Sequence, residues 1–260
     1  KTNTLKISGV GALKSALTAF QTAMKNLGST TTPAFAGFTA SSGNTSILAA
    51  TSDNTAVAGT YSVVVKNLAT GSKVASAAFA GGTASAIPSG TLKISQNGTD
   101  YNVAIPANAT LQSTRDAINT AQGANGISAN IVTDSTGASR LVISSNKTGA
   151  GSDLTVSGIA GLEIDGTQPM SGSPTPGASG AVNGIASDAT VIIDGLTVTS
   201  KSNTVTGAIS GLTLNLAAVS TGTPATATAV TVANNTTGLQ TSVQAFVDAY
   251  NTLKKTVDTL

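Results

Sequence analysis

Apolar residues recur at alternating steps of three and four residues near both ends of the chain. Each set lies on one side of a helix, in the narrow seam that coiled coils use. The seam residues are Leu13, Leu17, Phe20, Met24, Leu27, Leu239, Val243, Phe246, Tyr250, Leu253 and Val257, with Val10 and Leu260 at the ends. Because a helix that exposes such a seam is unstable alone, we expect the two helices to pack on each other, antiparallel, as a stalk.

Between the helices the pattern changes to the period of two that β-strands show. Residues 60–66 alternate and predict a strand with Tyr61, Val63 and Val65 on one face. The same period resumes late in the chain and predicts strands at 191–193, 196–198, 212–216 and 225–232. Thr237 and Gln240 have the spacing of a capping box at the start of the last helix.

Two stretches rich in Gly, Ser and Pro, 80–90 and 166–180, read as linkers. Between them, Asn97-Gly98 predicts a tight hairpin, 110–121 a short helix, and 134–137 the turn of a second hairpin. Residues from about 91 to 165 are therefore predicted to form a compact α+β insert. Its expected core is Leu92, Ile94, Val103, Leu111, Ile118, Ile131, Leu141 and Ile143.

The predicted fold is mixed and mainly β. A coiled-coil-like helical stalk, formed by residues 1–38 and 231–260, carries two nested β-rich domains. The outer β-domain is predicted at 39–80 and 178–230, and the inserted α+β domain at 81–177. Since the chain stops inside the last run of seam residues, we expect it to be a fragment of a longer protein.

Composition excludes several classes of function. The chain has no Cys and no His, so a Cys nucleophile, a His base and an imidazole or thiolate metal site are all absent. Thirteen Lys or Arg against eleven Asp or Glu give a formal charge of +2 with no basic cluster, and we expect no nucleic-acid partner. The chain also lacks an apolar run of the length that a bilayer requires and the start of a signal peptide.

Four short motifs have both a chemical and a structural interpretation, and we favour the structural one for each. Asp134-Ser135-Thr136-Gly137 resembles an aspartic protease loop but lacks a second copy, so we predict a turn. Lys14-Ser15 are helix neighbours that point apart, which favours a solvated face over a Ser-Lys dyad. Glu163 and Asp165 are too few for a calcium site. Gly9-Val10-Gly11 lacks the preceding strand and third glycine of a dinucleotide loop.

Four sets of segments are informative when taken together: 40–44 continuing to 59–63, 109–112 with 116–119, 193–195 with 209–214, and 246–251. In this order they resemble one family, the flagellar filament capping proteins (FliD, or hook-associated protein 2). The resemblance covers essentially the whole chain. The insert also resembles a repeat of flagellins and hook-associated proteins that contains an Ile-Asn pair, here Ile118-Asn119.

The resemblance implies a structural and assembly protein, not an enzyme, without cofactor or metal. It implies a secreted, extracellular protein that forms a homo-oligomeric ring at the tip of the bacterial flagellum and promotes folding and insertion of exported flagellin, and so motility. Some members of the family also attach to mucin, which makes host mucin a further expected partner.

Two other functions stay open at this point. A surface adhesin with glycan- or mucin-binding β-domains would use exposed aromatic residues, and the chain has three Tyr and no Trp. A glycan-cleaving enzyme would need two carboxylates about 5–9 Å apart in a cleft.

Overall fold

The computed structural model describes residues 2–28, 37–171 and 175–259, with side chains from residue 9 onward. Within these residues the chain is mainly β, with α-helices at both ends and one in the middle. The α-helices are α1 Thr2–Leu27, α2 Leu111–Gln122 and α3 Thr236–Asp258, and short 3₁₀ turns span Gly82–Ala84 and Gly123–Asn125. The strands are β1 Phe38–Ser42, β2 Leu48–Ser52, β3 Gly59–Asn67, β4 Gly71–Ala75, β5 Ala86–Ile87, β6 Gly90–Gln96, β7 Thr99–Ile105, β8 Ala109–Thr110, β9 Ile127–Thr133, β10 Ser139–Thr148, β11 Thr155–Ser157, β12 Ile164–Asp165, β13 Gly180–Ala181, β14 Ala189–Ile193, β15 Leu196–Ser200, β16 Thr204–Thr206, β17 Leu212–Leu216 and β18 Thr228–Asn234.

The chain divides into two compact units. The first comprises residues 1–63, 204–217 and 222–260, and the second comprises 64–203 and 218–221. The predicted three-part division places its boundaries elsewhere and stays a prediction.

The first unit combines the two long helices with two groups of antiparallel strands. Strand β18 pairs with β1 on one side and with the first half of β3 on the other, and β17 lies between β16 and β2. Gly211 adopts a positive φ of 70°, and a Cβ there would lie 2.2 Å from the backbone nitrogen of Ala56, so only glycine fits. The buried side chains of these strands include Leu48, Val63, Val205, Leu214 and Val230.

The second unit contains two four-stranded sheets with α2. Their strand orders are β13-β4-β10-β9 and β12-β11-β6-β7, with the neighbouring pairs antiparallel. All eight residues of the predicted insert core lie in its hydrophobic core, where Ile131 is only partly buried. Val74 of β4 joins the same core, and β4 pairs with β10. The structural unit therefore reaches beyond the predicted range of 91–165.

Turn chemistry explains both hairpins named in the sequence. Asn97 and Gly98 have φ values of 53° and 76° between β6 and β7, the conformation that a two-residue turn of the primed type requires. Between β9 and β10, the Asp134 carboxylate accepts hydrogen bonds from the backbone N–H groups of Thr136 and Ala138 and from the Thr136 hydroxyl. The interpretation of this motif as a turn is confirmed.

Helix starts follow side-chain capping. Thr110 and Ser113 form a reciprocal capping box at the start of α2. At α3 the predicted box of Thr237 and Gln240 was wrong: the Asn235 side chain accepts the Gly238 N–H at 2.9 Å instead. Because the third helical position is a glycine, no side chain there can return the hydrogen bond.

Candidate functional site

The candidate site is the helix pair of the first unit, formed by α1 and α3. Phe38 lies opposite Asn234 in the β1–β18 ladder, and the Asn235 N–H donates to the Gly37 carbonyl at 3.1 Å. Helix α3 therefore begins at the edge where the chain that follows α1 enters the sheet. This is the connection that two antiparallel helices need.

Aromatic rings join the last third of α1 to the middle of α3. The ring of Phe20 lies 5.3 Å from that of Phe246 and 6.1 Å from that of Tyr250, between centroids, with both pairs tilted. Such tilted pairs add about 0.5–1.5 kcal/mol beyond the burial of their area. These two ring contacts link predicted seam residues of α1 with those of α3.

The predicted seam residues fall into two groups by exposure. The half-buried group is Leu13, Phe20, Leu27, Phe246 and Leu253, whereas the exposed group is Leu17, Met24, Leu239, Val243, Tyr250 and Val257. Val10 is also exposed, and Leu260 lies outside the described residues. The seam as predicted therefore combines residues of two adjacent helix faces.

Small residues that are not part of the predicted seam complete the more buried face. Ala16 is 6% exposed, and Ala23, Ser242, Ala249 and Thr256 are half-buried. On α1 the large residues Leu13, Phe20 and Leu27 alternate with Ala16 and Ala23. Small side chains let two helix backbones approach closely, and the neighbouring large side chains fill the remaining space. A search for small residues at the same seven-residue spacing would have found this face.

Two rows of exposed apolar residues flank the more buried face. Val10, Leu17 and Met24 repeat every seven residues on α1, and Val243, Tyr250 and Val257 do so on α3. A seven-residue apolar repeat is the spacing by which helices recruit further helices into a supercoil. These two rows, called the outer rows below, are suited to contacts outside the pair, and one of their residues, Tyr250, also packs on Phe20 within it.

A groove of about 770 Å³ runs along the helix pair. Its lining includes Ala19, Ala23, Ala245 and Ala249 together with Thr18 and Thr22. The hydroxyls of Thr18 and Thr22 donate to backbone carbonyls one turn back, at Lys14 and Thr18, each at 2.9 Å. The donor of each hydroxyl group is thus satisfied within the helix. The groove can accommodate apolar side chains.

Several acidic side chains bond the backbone of their own loops. Asp53, Asp134 and Asp165 each accept two hydrogen bonds from a Thr two residues ahead, through its hydroxyl and its backbone N–H. These bonds hold the pKa of each carboxyl group below its ordinary value. Glu163, named with Asp165 as a possible calcium ligand, instead accepts the Gly161 N–H at 2.8 Å. Within the described residues, no cluster of three or more acidic side chains could hold a metal ion.

Matches to known proteins cover both units. The model of the flagellar hook-associated protein 2 N-terminus matches residues 1–72, that of its C-terminus matches 186–260, and that of the flagellin hook IN motif matches 91–147. In the crystal structure of the Escherichia coli flagellar cap protein FliD, domains D1-D2-D3, the match covers 97% of this chain and 70% of that chain, with 31% identity and a TM-score of 0.80. The chain belongs to the flagellar hook-associated protein 2 (FliD) family.

Further relatives agree with this assignment. The chain is 38% identical to the B-type flagellar hook-associated protein 2 of Pseudomonas aeruginosa, over 99% of this chain and 56% of the relative. It is 37% identical to flagellar hook-associated protein 2 of Escherichia coli, over 99% of this chain and 54% of the relative. The crystal structure of FliD from Pseudomonas aeruginosa matches with a TM-score of 0.68 and 36% identity, over 82% of this chain and 95% of that chain. The chain spans about half the length of the curated relatives that it matches.

In the described residues, no helix is both long and apolar enough to cross a membrane.

Proposed function

We propose that this chain is part of a protein that caps the tip of the bacterial flagellar filament and assists its assembly. The observation that carries the proposal is the match to a flagellar cap protein over 97% of the chain, with a TM-score of 0.80. The role is structural rather than enzymatic: the protein is exported, stays outside the cell, and promotes folding and insertion of flagellin subunits.

In this proposal the helix pair acts as a stalk, and two nested β-rich domains form the head. The contacts between Phe20, Phe246 and Tyr250 support the stalk, because they join the first and last segments of the chain. The nested arrangement is supported by chain order, since most of the second unit, 64–203, falls between segments of the first. Domains at 39–80 with 178–230, and at 81–177, remain the proposed subdivision of the head.

The proposed partners are further copies of the same protein, in a ring, and flagellin. The outer rows support self-association, because exposed apolar residues at seven-residue spacing are suited to contacts between helices of neighbouring subunits. Host mucin remains an expectation from the family resemblance. Of the three Tyr, Tyr250 packs on Phe20, and the Tyr101 hydroxyl accepts a 2.8 Å hydrogen bond from Lys147, so neither supports the adhesin alternative.

Complementation tests the function. The complete gene product should restore swimming to a strain that lacks its own cap protein. A double variant in the outer rows, Leu17→Ser with Val243→Ser, should be exported but should restore swimming poorly, because it weakens contacts between subunits. Val132→Ser, which removes an apolar side chain that is at least as exposed from the second unit, is the control and should swim like the parent. The proposal would be contradicted if the unmodified protein failed to restore swimming to a cap-deficient strain that expresses the flagellin with which it naturally assembles.

A further inference from the structure

The two sheets of the second unit each end in a seven-residue outer strand. Strand β9 is the outer strand of one sheet and β7 of the other. Along an outer antiparallel strand, every second residue directs its N–H and C=O away from the neighbouring strand. Such groups are a template on which another chain can add a strand.

Helix α2 lies against both outer strands, and its amide side chains bond their backbones. The Asn119 side chain accepts the Ala129 N–H at 2.7 Å and donates to the Ala129 carbonyl at 2.9 Å. One primary amide thus makes both hydrogen bonds that a neighbouring strand would make at this residue. The Ile131 N–H, two residues further on the same edge, is bonded by the Asn130 side chain at 2.8 Å.

Three residues later, the same helix also bonds the backbone of β7, through one hydrogen bond to a carbonyl. The Gln122 side chain donates to the Asn102 carbonyl at 2.9 Å, and its own oxygen accepts from the Asn125 amide at 2.8 Å. Gln122 is 7% exposed, so its amide is fixed by burial as well as by hydrogen bonds. Ile118 is fully buried beside Asn119 and anchors this face of the helix in the core.

We propose that α2 closes the edges of both sheets against strand addition, and that the Asn of the Ile-Asn pair is the residue that closes β9. The partner that is kept from pairing is a second copy of this chain, whose β9 would otherwise add to this β9 as a further strand. Strand β9, Ile-Ser-Ala-Asn-Ile-Val-Thr, contains no charge and no proline, which are the usual protections of an exposed edge. It also exposes Val132, which would add apolar contact between two such strands. This inference does not depend on the flagellar function.

The test compares three variants of the intact chain. Asn119→Ala removes both hydrogen bonds, whereas Asn119→Asp keeps an acceptor for the Ala129 N–H and places a charge at the edge. Gln112→Ala, an exposed amide on the same helix, is the control. We expect the Ala129 amide to exchange about fivefold faster in Asn119→Ala, which corresponds to the loss of a hydrogen bond worth about 1 kcal/mol, with no change in the control.

Association is the decisive measurement. By sedimentation, Asn119→Ala should self-associate at concentrations at which the parent, Asn119→Asp and Gln112→Ala stay monomeric. If Asn119→Ala does not fold, Asn119→Gln displaces the amide by one methylene and should also associate. A monomeric Asn119→Ala with fast Ala129 exchange would overturn the proposal. Equal association of Asn119→Ala and Asn119→Asp would also overturn it, because general destabilisation would then be the cause.

The absence of cysteine from the chain allows a direct test of where the copies meet. Val132→Cys on β9, combined with Asn119→Ala, should form a disulfide-linked dimer on oxidation, whereas Val132→Cys alone should not. Gln112→Cys with Asn119→Ala is the position control and should remain monomeric. Equal cross-linking at both positions would show that association does not run through β9.

Discussion

Ala16 and Leu17 are adjacent in α1, yet the same substitution should destabilise the protein far more at Ala16 than at Leu17. Ala16 is 6% exposed on the face towards α3, whereas Leu17 is 44% exposed in an outer row. A seam built from large apolar residues alone would assign the larger effect to Leu17. The packing of the two helices assigns it to Ala16.

The magnitudes follow from burial. Ala16→Glu forces extra side-chain atoms and a charge into a close helix contact, and we expect it to cost about 2–4 kcal/mol in free energy of unfolding. Leu17→Glu removes a half-exposed apolar side chain and should cost about 0.5–1 kcal/mol. The helix propensities of the residues involved differ by a few tenths of a kcal/mol and cannot reverse this order.

Urea unfolding followed by far-ultraviolet circular dichroism measures both changes, because α1 and α3 supply most of the helical signal. The comparison uses the same chain at a concentration at which it is monomeric, so that contacts of the outer rows between copies do not contribute. A Leu17→Glu variant less stable than Ala16→Glu would refute the assignment of Ala16 to the buried face.

Four further predictions concern the rest of the chain. A double-mutant cycle of Phe20→Ala and Phe246→Ala should give a coupling of about 0.5–1.5 kcal/mol, and additive losses would exclude a direct ring contact. Hydrogen bonds from Thr136 lower the pKa of Asp134, so the ionised Asp134 carboxylate contributes stability above about pH 4, and this contribution is lost as the pH falls through the lowered pKa. Asp134→Asn should therefore lose less stability in acid than the parent does. An unchanged dependence of stability on pH would exclude the contribution. The excised fragment 64–203 should melt cooperatively, whereas the fragment 91–165 should not, because the shorter fragment lacks β4, which pairs with β10. Cooperative melting of the fragment 91–165 would instead support the narrower insert. The isolated chain should be monomeric in dilute solution, and a tight oligomer at low micromolar concentration by sedimentation would place the main interface within it.

The features that the sequence predicted best depend on local geometry. Asn97 and Gly98 specify a hairpin because few other residues accept positive φ at two successive positions. The cores of the strands followed from alternation, and the α2 helix from its apolar positions, of which Leu111 and Ile118 are buried. Ala121, the third of these positions, is exposed, and the polar Thr114 and Gln122 are buried instead. In each case the information lies within a few neighbouring residues.

The features that it missed depend on packing between distant segments. Ala16 carries no signal in a pattern of large apolar residues, and its burial arises only because α3 lies beside it. Asn119 gains its role from a strand ten residues away, through hydrogen bonds that the pattern of α2 does not encode. Several polar side chains near the start of α3 could cap it, and the backbone conformation brings the Asn235 side chain to the Gly238 N–H.

The central claim is that this chain forms part of a ring that caps the flagellar filament. Electron micrographs of the complete gene product, mixed with filaments from a cap-deficient strain that expresses the matching flagellin, test it most directly. We predict ring-shaped particles, and the same rings seated at one end of the filaments, with fewer such ends for the Leu17→Ser, Val243→Ser variant. Filaments whose two ends both stay bare, alongside a well-folded protein that remains monomeric at high concentration, would contradict the account.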